Sequence, residues 1–279
     1  GNVQNEEAKT GVTVLLFDKK TGAVVGVDIS GGGPASRETP LTSPVTADNP
    51  INAIVLSGGS AYGLAASDGV MRCLEEHGIG FETGYAKVPL VCQSCIYDLG
   101  YGSATVRPDS EMGYAACEKA LAGGNPSSGS VGAGTGATVG KICGMERAMK
   151  SGLGMYAVQL GELRMAAVVA VNALGDIFDS STGRKIAGLR TEDGTAFSDS
   201  CEELWKMGQR ENLFTGNTTI GAVITNGKFN KAQMNKIASM TRNAYARCIN
   251  PVGTMADGDS IYAASAGEVE ADLNVAGTL

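Results

Sequence analysis

Short apolar runs separated by glycine- and asparagine-rich turns alternate along this chain with two longer stretches whose apolar residues recur at helical spacing. Residues 12–17 (VTVLLF) and 24–27 (VVGV) read as two strands, and the turn Asp18-Lys-Lys-Thr-Gly22 between them predicts a β-hairpin. Residues 53–56 form a third strand. It runs through Ser57-Gly-Gly-Ser60 into a helix over 61–77 with Leu64, Met71 and Leu74 on one side. A second helix is expected over 110–121. A glycine-, serine- and threonine-rich stretch follows at 123–140, then strands at 154–160 and 164–172, the latter closed by the turn Ala173-Leu-Gly-Asp176. Residues 180–216 read as a polar, partly helical excursion.

The last third has the clearest pattern. Residues 218–225 (TTIGAVIT) form a buried strand closed by Asn226-Gly227. A helix follows over 230–248, with Met234, Ile237, Ala238, Thr241, Tyr245 and Cys248 on one face, and Pro251 stops it. After a loop, residues 260–264 form another strand. A strand–helix–strand unit joins parallel neighbours in one sheet, so both strands begin at the same edge. The turn Asp257-Gly258-Asp259 is therefore expected beside Thr218.

Composition narrows what such a fold can do. Of 279 residues 43% are hydrophobic and 18% charged, enough to bury a sizeable core. The net charge of −7 (22 basic, 29 acidic) argues against nucleic acid or an anionic membrane as partner, since both require a basic footprint. The apolar runs are too short to span a bilayer, and the polar, acidic start carries no signal peptide. Seven cysteines, an odd number scattered through apolar stretches, point to reduced thiols and a cytoplasmic setting. Cys92 and Cys95 form a lone C-x-x-C, to be read as buried packing or as a redox pair. A second pair or matching histidines would be needed for zinc, so no metal and no cofactor is expected. The single histidine, His77, sits where a helix ends at Gly78. As a helix-end residue it leaves Ser-His-Asp and Cys-His chemistry without a base.

Gly216-Asn217-Thr218-Thr219 reads in two ways. It is a turn before a strand, or it is a cleavage site at which Thr218 becomes a new amino terminus. The α-amine of such a threonine, with an ordinary pKa of about 7.7–8.0, can serve as base for its own hydroxyl. Asp257 and Asp259 are either an acidic turn or a carboxylate pair that orients that threonine. The run Ser130–Lys141 departs from a P-loop, since Thr135 stands at the first glycine and Ile142 where Ser or Thr is needed. It reads better as a closely packed segment that delivers Lys141 to a site. Asn172, at the end of a strand, is a turn residue or an amide donor to an oxyanion.

The stretches 57–64 (SGGSAYGL), 132–141 (GAGTGATVGK), 169–172 (VAVN), 217–219 (NTT) and 257–259 (DGD) together resemble the L-aminopeptidase/D-esterase peptidases. That family includes β-peptidyl aminopeptidases and the nylon-oligomer hydrolase. The resemblance implies an α/β fold, a four-layer α-β-β-α sandwich shared with ornithine acetyltransferases. It also implies one peptidase domain over residues 1–279, self-cleaved into 1–217 and 218–279, and a homo-oligomer, tetramer or larger. By motif, Thr218 is the nucleophile, Asp257 and Asp259 orient it, and Asn172 and Lys141 line the oxyanion and substrate side. Tyr97 resembles the family's active-site tyrosine, with Cys95 the alternative equivalent. The substrate implied is a small peptide or other amide. An acyltransferase on the same fold and an uncleaved scaffold protein are the rival readings. The chain departs from the family pattern in using Thr at the nucleophile position, as the nylon-oligomer branch does. It also departs in opening without the usual first strand and in stopping at 272–279, where a terminal helix is expected.

Overall fold

The structure, a computed structural model, describes residues 1–18, 20–124, 127–208 and 216–279. In chain order the strands of the two main sheets are Asn2–Asn5 (β1), Thr10–Leu16 (β2), Val24–Ile29 (β3), Ala35–Arg37 (β4), Ala53–Ser57 (β5), Val91–Cys95 (β6), Leu153–Leu160 (β7), Leu163–Asn172 (β8), Thr218–Gly227 (β9) and Ser260–Val269 (β10). One sheet has the order β1-β2-β5-β6-β4, the other β7-β8-β9-β10-β3. Helices Ala66–Glu76 (α1) and Ser110–Leu121 (α2) cover the first sheet. Helices Lys231–Thr241 (α4), Asn243–Cys248 (α5) and Leu273–Thr278 (α6) lie on the second, and Ser200–Met207 (α3) belongs to the polar excursion. The result is the four-layer α-β-β-α sandwich.

Two-residue periodicity of the strands builds these layers, because alternate side chains leave opposite faces. On β5, Ile54 and Leu56 enter the core between the sheets, while Ala53 and Val55 meet α1 and α2. On β10, Tyr262 and Ala264 point inward, and Ile261 and Ala263 meet the outer helices. Strands apolar on both faces are what a doubly covered sheet requires. Each fully buried Ile or Leu contributes roughly 1.5–3 kcal/mol.

The expected hairpin does not form. β2 pairs with β1 and β5 in one sheet, and β3 pairs with β10 in the other, so the turn at 18–22 (Lys19 lies outside the described residues) passes the chain between sheets. Both strands are apolar on both faces, and burial between two sheets outweighs the local pairing a short turn invites. The helix expected over 61–77 opens with a 3-10 stretch, Ser60–Ala65, before α1. The helix expected over 230–248 breaks into α4 and α5 around Arg242. The chain does open on a short strand, β1, and it ends in the short helix α6, capped by the Asp272 side chain on Asn274 and Val275 N–H.

The excursion at 180–216 (209–215 lie outside the described residues) adds strand Lys185–Ala187, which pairs with Asp176–Phe178 beside Ile249–Asn250. Buried Asp176 holds it in place, accepting from Lys185 Nζ (2.7 Å), Leu189 N (2.7 Å), and Ser200 N and Oγ (2.9 and 2.8 Å). Among the described residues no helix is long and apolar enough to cross a membrane.

Candidate active site

β9 lies between the antiparallel β8 and the parallel β10. Asn172 is opposite Thr218 on β8, and a parallel bridge joins Asn217 to Asp257 just before β10. The crossover through α4 and α5 thus returns the chain to the edge where β9 begins, which sets the Asp257–Asp259 turn beside Thr218. The Gly258 N–H donates to the Asn217 carbonyl at 2.8 Å, and the Thr218 hydroxyl donates to the same oxygen. Thr218 is buried, so this peptide group is polarised away from water. Glycine is required at 258, because a Cβ there would lie 2.9 Å from Thr218 Oγ1 and 2.7 Å from the Gly33 carbonyl.

The two carboxylates are buried and hold backbone. Asp259 accepts from Thr219 N at 2.6 Å and Gly253 N at 3.0 Å. Asp257 accepts from Thr254 N (2.9 Å) and Thr254 Oγ1 (2.6 Å). In the continuous chain they therefore fix the loop and the first residues of β9, and the hydroxyl of Thr218 turns to the Asn217 carbonyl. The run Ser30-Gly-Gly-Gly33 straps this loop. Ser30 and Gly31 N–H donate to the Asp259 carbonyl (3.0 and 3.2 Å), and Gly33 N–H donates to the Asp257 carbonyl (2.9 Å). A Cβ at Gly31 would fall 2.2 Å from Asp259 N. The triple glycine after β3 is the sequence signal for this strap.

Lys141 enters from the other side. Gly140 adopts φ +68°, and a Cβ on it would meet Leu189 N at 2.0 Å. The Lys141 ammonium donates to the Asn172 carbonyl (2.9 Å), Asn172 Oδ1 (2.9 Å) and the Gly216 carbonyl (3.2 Å). Asn172 Oδ1 also accepts from Thr138 N at 3.0 Å, and Asn172 Nδ2 donates to the Tyr97 carbonyl at 2.9 Å. The Asn172 amide is thus spent on positioning, and the backbone donor at the Asn217 carbonyl is the Gly258 N–H. Tyr97 reaches the site through its backbone and lines a small cavity with Asp98, Tyr101, Thr138, Lys141 and Gly216.

Asp98, which the sequence reading missed, is buried beside Tyr97. It accepts from Thr10 Oγ1 and Gly59 N, both at 2.7 Å. Cys95 stays apart from this cluster, its thiol packed on Ser57 and Gln93. Cys92 and Cys95 leave opposite faces of β6, so the C-x-x-C does not present two thiols together.

Burial drives Lys141, Asp259 and Asp98 toward neutrality. Lys141 is lowered to about 7 by desolvation, against the pull of Asp257, Asp259 and Asp98. Desolvation, reinforced by Asp257, raises Asp259 against its bonds from Thr219 and Gly253 N–H and the charge of Lys141. Asp98 is likewise raised by burial, opposed by the bonds from Thr10 and Gly59. A buried hydroxyl next to a polarised carbonyl, among groups that exchange protons near neutral pH, is equipped for acyl transfer.

The profile of peptidase family S58 matches residues 1–276. The chain belongs to peptidase family S58. It is 38% identical over 269 residues to an uncharacterized aminopeptidase of Mycobacterium leprae, covering 94% of this chain and 72% of that protein. It is 33% identical over 277 residues to a 6-aminohexanoate-oligomer endohydrolase of a Kocuria species, covering 97% and 73%. The fold is that of the L-aminopeptidase D-Ala-esterase/amidase of Ochrobactrum anthropi, a variant of the Ntn hydrolase fold. That structure matches with a TM-score of 0.64 at 15% identity over 95% of this chain and 70% of that one. A β-aminopeptidase of a Burkholderia species matches with a TM-score of 0.60 at 18% identity, over 95% and 68%. The S58 chain is therefore a peptidase-family hydrolase, as the five motifs taken together implied.

Proposed function

We propose that this chain cleaves itself between Asn217 and Thr218, and that the freed Thr218 is the nucleophile of a hydrolase acting on small peptides or other amides. The observation that carries this reading is the Asn217 carbonyl, which receives both the Gly258 N–H and the hydroxyl of the next residue. In the first step Thr218 Oγ1 bonds to the Asn217 carbonyl carbon, the C–N bond breaks, and the hydroxyl proton passes to the departing nitrogen. Water then hydrolyses the ester, releasing the Asn217 carboxylate and leaving a free Thr218 amine and hydroxyl. That amine takes the hydroxyl proton as Oγ1 bonds to a substrate amide carbon, with the Gly258 N–H on the oxyanion side. The substrate C–N bond breaks, the proton passes to the leaving amine, and water hydrolyses the acyl-threonine ester to release the acid. Asp257 and Asp259 fix the loop that carries Gly258, while Asn172 and Lys141 hold the opposite wall and Tyr97 borders it.

After cleavage the pieces 1–217 and 218–279 remain one folded unit. β9 and β10 of the short piece sit between β8 and β3 of the long one, bonded on both sides. The similarity to 6-aminohexanoate-oligomer endohydrolases widens the substrate class from α-peptides to amides of longer amino acids. Assembly into a homo-oligomer, tetramer or larger, belongs to the same reading and is checked by light scattering of the purified chain. The test of the chemistry is intact mass under denaturing conditions, wild type beside Thr218→Ala. Two wild-type fragments split at Asn217/Thr218, with an intact variant, support the reading. A wild-type chain that stays whole while hydrolysing amides overturns it.

A further inference from the structure

The outer helical layer carries a second cluster of reactive side chains, remote in sequence from Thr218. Cys73 lies on the face of α1 that packs on α2, and its thiol is 3.3 Å from Glu118 Oε1. His77, four residues on, ends α1 on the same side. Its Nδ1 is 2.8 Å from the Cys73 carbonyl, and its Nε2 is 3.6 Å from the same Glu118 oxygen. A carbonyl only accepts, so the ring proton sits on Nδ1, and the Nε2 lone pair faces the carboxylate. Two acceptors turned toward each other across 3.6 Å leave a gap that a metal ion can fill. An imidazole whose other nitrogen is anchored to a backbone carbonyl is also the orientation that metal-binding histidines adopt.

Among the described residues, the ligand atoms of Cys73, His77 and Glu118 all lie within 4.8 Å of one another. A tetrahedral ion with bonds of about 2.0–2.3 Å separates its ligands by roughly 3.3–3.8 Å. The separations of 3.3 and 3.6 Å already fall in that window. Thiolate, imidazole and carboxylate together suit zinc, whereas magnesium and calcium take oxygen alone. We propose that Cys73, His77 and Glu118 bind a zinc-type divalent cation that clips α1 to α2. On binding, the Cys73 S–H bond breaks, its proton leaves to solvent, and the sulfur, Nε2 and Oε1 each donate an electron pair to the ion. The His77 and Glu118 side chains are 39% and 43% exposed, so water can take the fourth position. The neighbouring charges, Glu76 on Tyr114 and Arg72 on Glu111, are engaged with other partners.

The experiment is a titration of the full-length, reduced, chelator-stripped protein with Co²⁺, read by its absorption. The expected result is a thiolate-to-cobalt charge-transfer band with tetrahedral visible bands, saturating at one equivalent and displaced by Zn²⁺. His77→Gln and Glu118→Gln alter partly exposed side chains and leave the core intact. Each is expected to weaken binding by at least roughly 10–100-fold, the loss that follows removal even of a supporting group. Cys143→Ser, at a half-buried thiol outside the cluster, leaves the spectrum unchanged. A wild type without the charge-transfer band, an affinity unchanged in both His77→Gln and Glu118→Gln, or a band that vanishes in Cys143→Ser overturns the proposal.

Discussion

Ser57 and Thr218 are both buried hydroxyls on the central strand of a five-stranded sheet, and each strand pairs in parallel with its next neighbour through a helical crossover. Their surroundings differ. Ser57 ends β5 and bonds to neutral groups: the carbonyls of Gly58 and Gly63 (3.1 and 3.4 Å), the Gln93 amide (2.9 Å) and the Cys95 thiol (3.1 Å). Gln93 in turn accepts from Ser67 on α1. This closed network ties a helix to a sheet. Thr218 begins β9, where the crossover loop returns with Asp257, Gly258 and Asp259 and where Lys141 bonds to Asn172 at the end of β8. A strand's last residue hands its peptide group to the next helix. A strand's first residue instead leaves the peptide group before it open to whatever the neighbouring strand's entry loop carries. The same chemical group closes a structural network in one setting and, in the proposed reading, attacks the neighbouring carbonyl in the other.

The largest effect should come from removing the two hydroxyls. Thr218→Ala is expected to abolish self-cleavage completely, whereas Ser57→Ala should cleave as wild type and lose only stability. Fragment mass and thermal melts separate the two. Next is Gly258→Ala, whose Cβ would press on Thr218 Oγ1 and on the strap carbonyl of Gly33. Cleavage rate should fall on the order of 10²-fold, as displacements of about 1 Å at reacting atoms do, and time-resolved mass of refolded precursor reads it. Smaller is Asn172→Ala, which deprives buried Lys141 of an acceptor. A stability loss of about 1–3 kcal/mol is expected from urea unfolding, with slowed cleavage, because an unpaired buried donor retains its desolvation cost. The last effect is a slope. Lys141 falls from its ordinary 10.5 to about 7 on folding, so between those values the unfolded chain binds more protons. The stability of the wild type relative to Lys141→Met should therefore rise with pH from about 7 toward 10.5, by no more than ~1.4 kcal/mol per pH unit. Paired unfolding curves at pH 7 and 9 that run parallel would refute it.

The crossover and the failed hairpin show where sequence patterns suffice. The unit from 218 to 264 was legible because a long connection with one apolar face must cross over a sheet, and handedness then leaves few arrangements. Residues 12–27 offered the same kind of signal, a turn between apolar runs, but strands apolar on both faces carry no mark of which sheet they join. The break at Arg242 was similarly hidden, since the apolar face continues through it from Ile237 to Tyr245.

The sequence by itself determined the family, the alternation that builds the layers and the strand starting at Thr218, and it singled out Lys141, Asn172, Asp257 and Asp259 as candidates. Those residues announce themselves through local spacing and motif order. Only the tertiary structure decided which group each one holds. It spent the Asn172 amide on the Tyr97 carbonyl, gave the Asn217 carbonyl to Gly258 N–H, strapped the loop with Gly31–Gly33, buried Asp98 beside the site, and turned a solitary His77 toward Cys73 and Glu118. Hydrogen bonds and ligand geometry act over about 3 Å between residues up to a hundred or more positions apart, so they are fixed by how the layers close and leave no period in the chain.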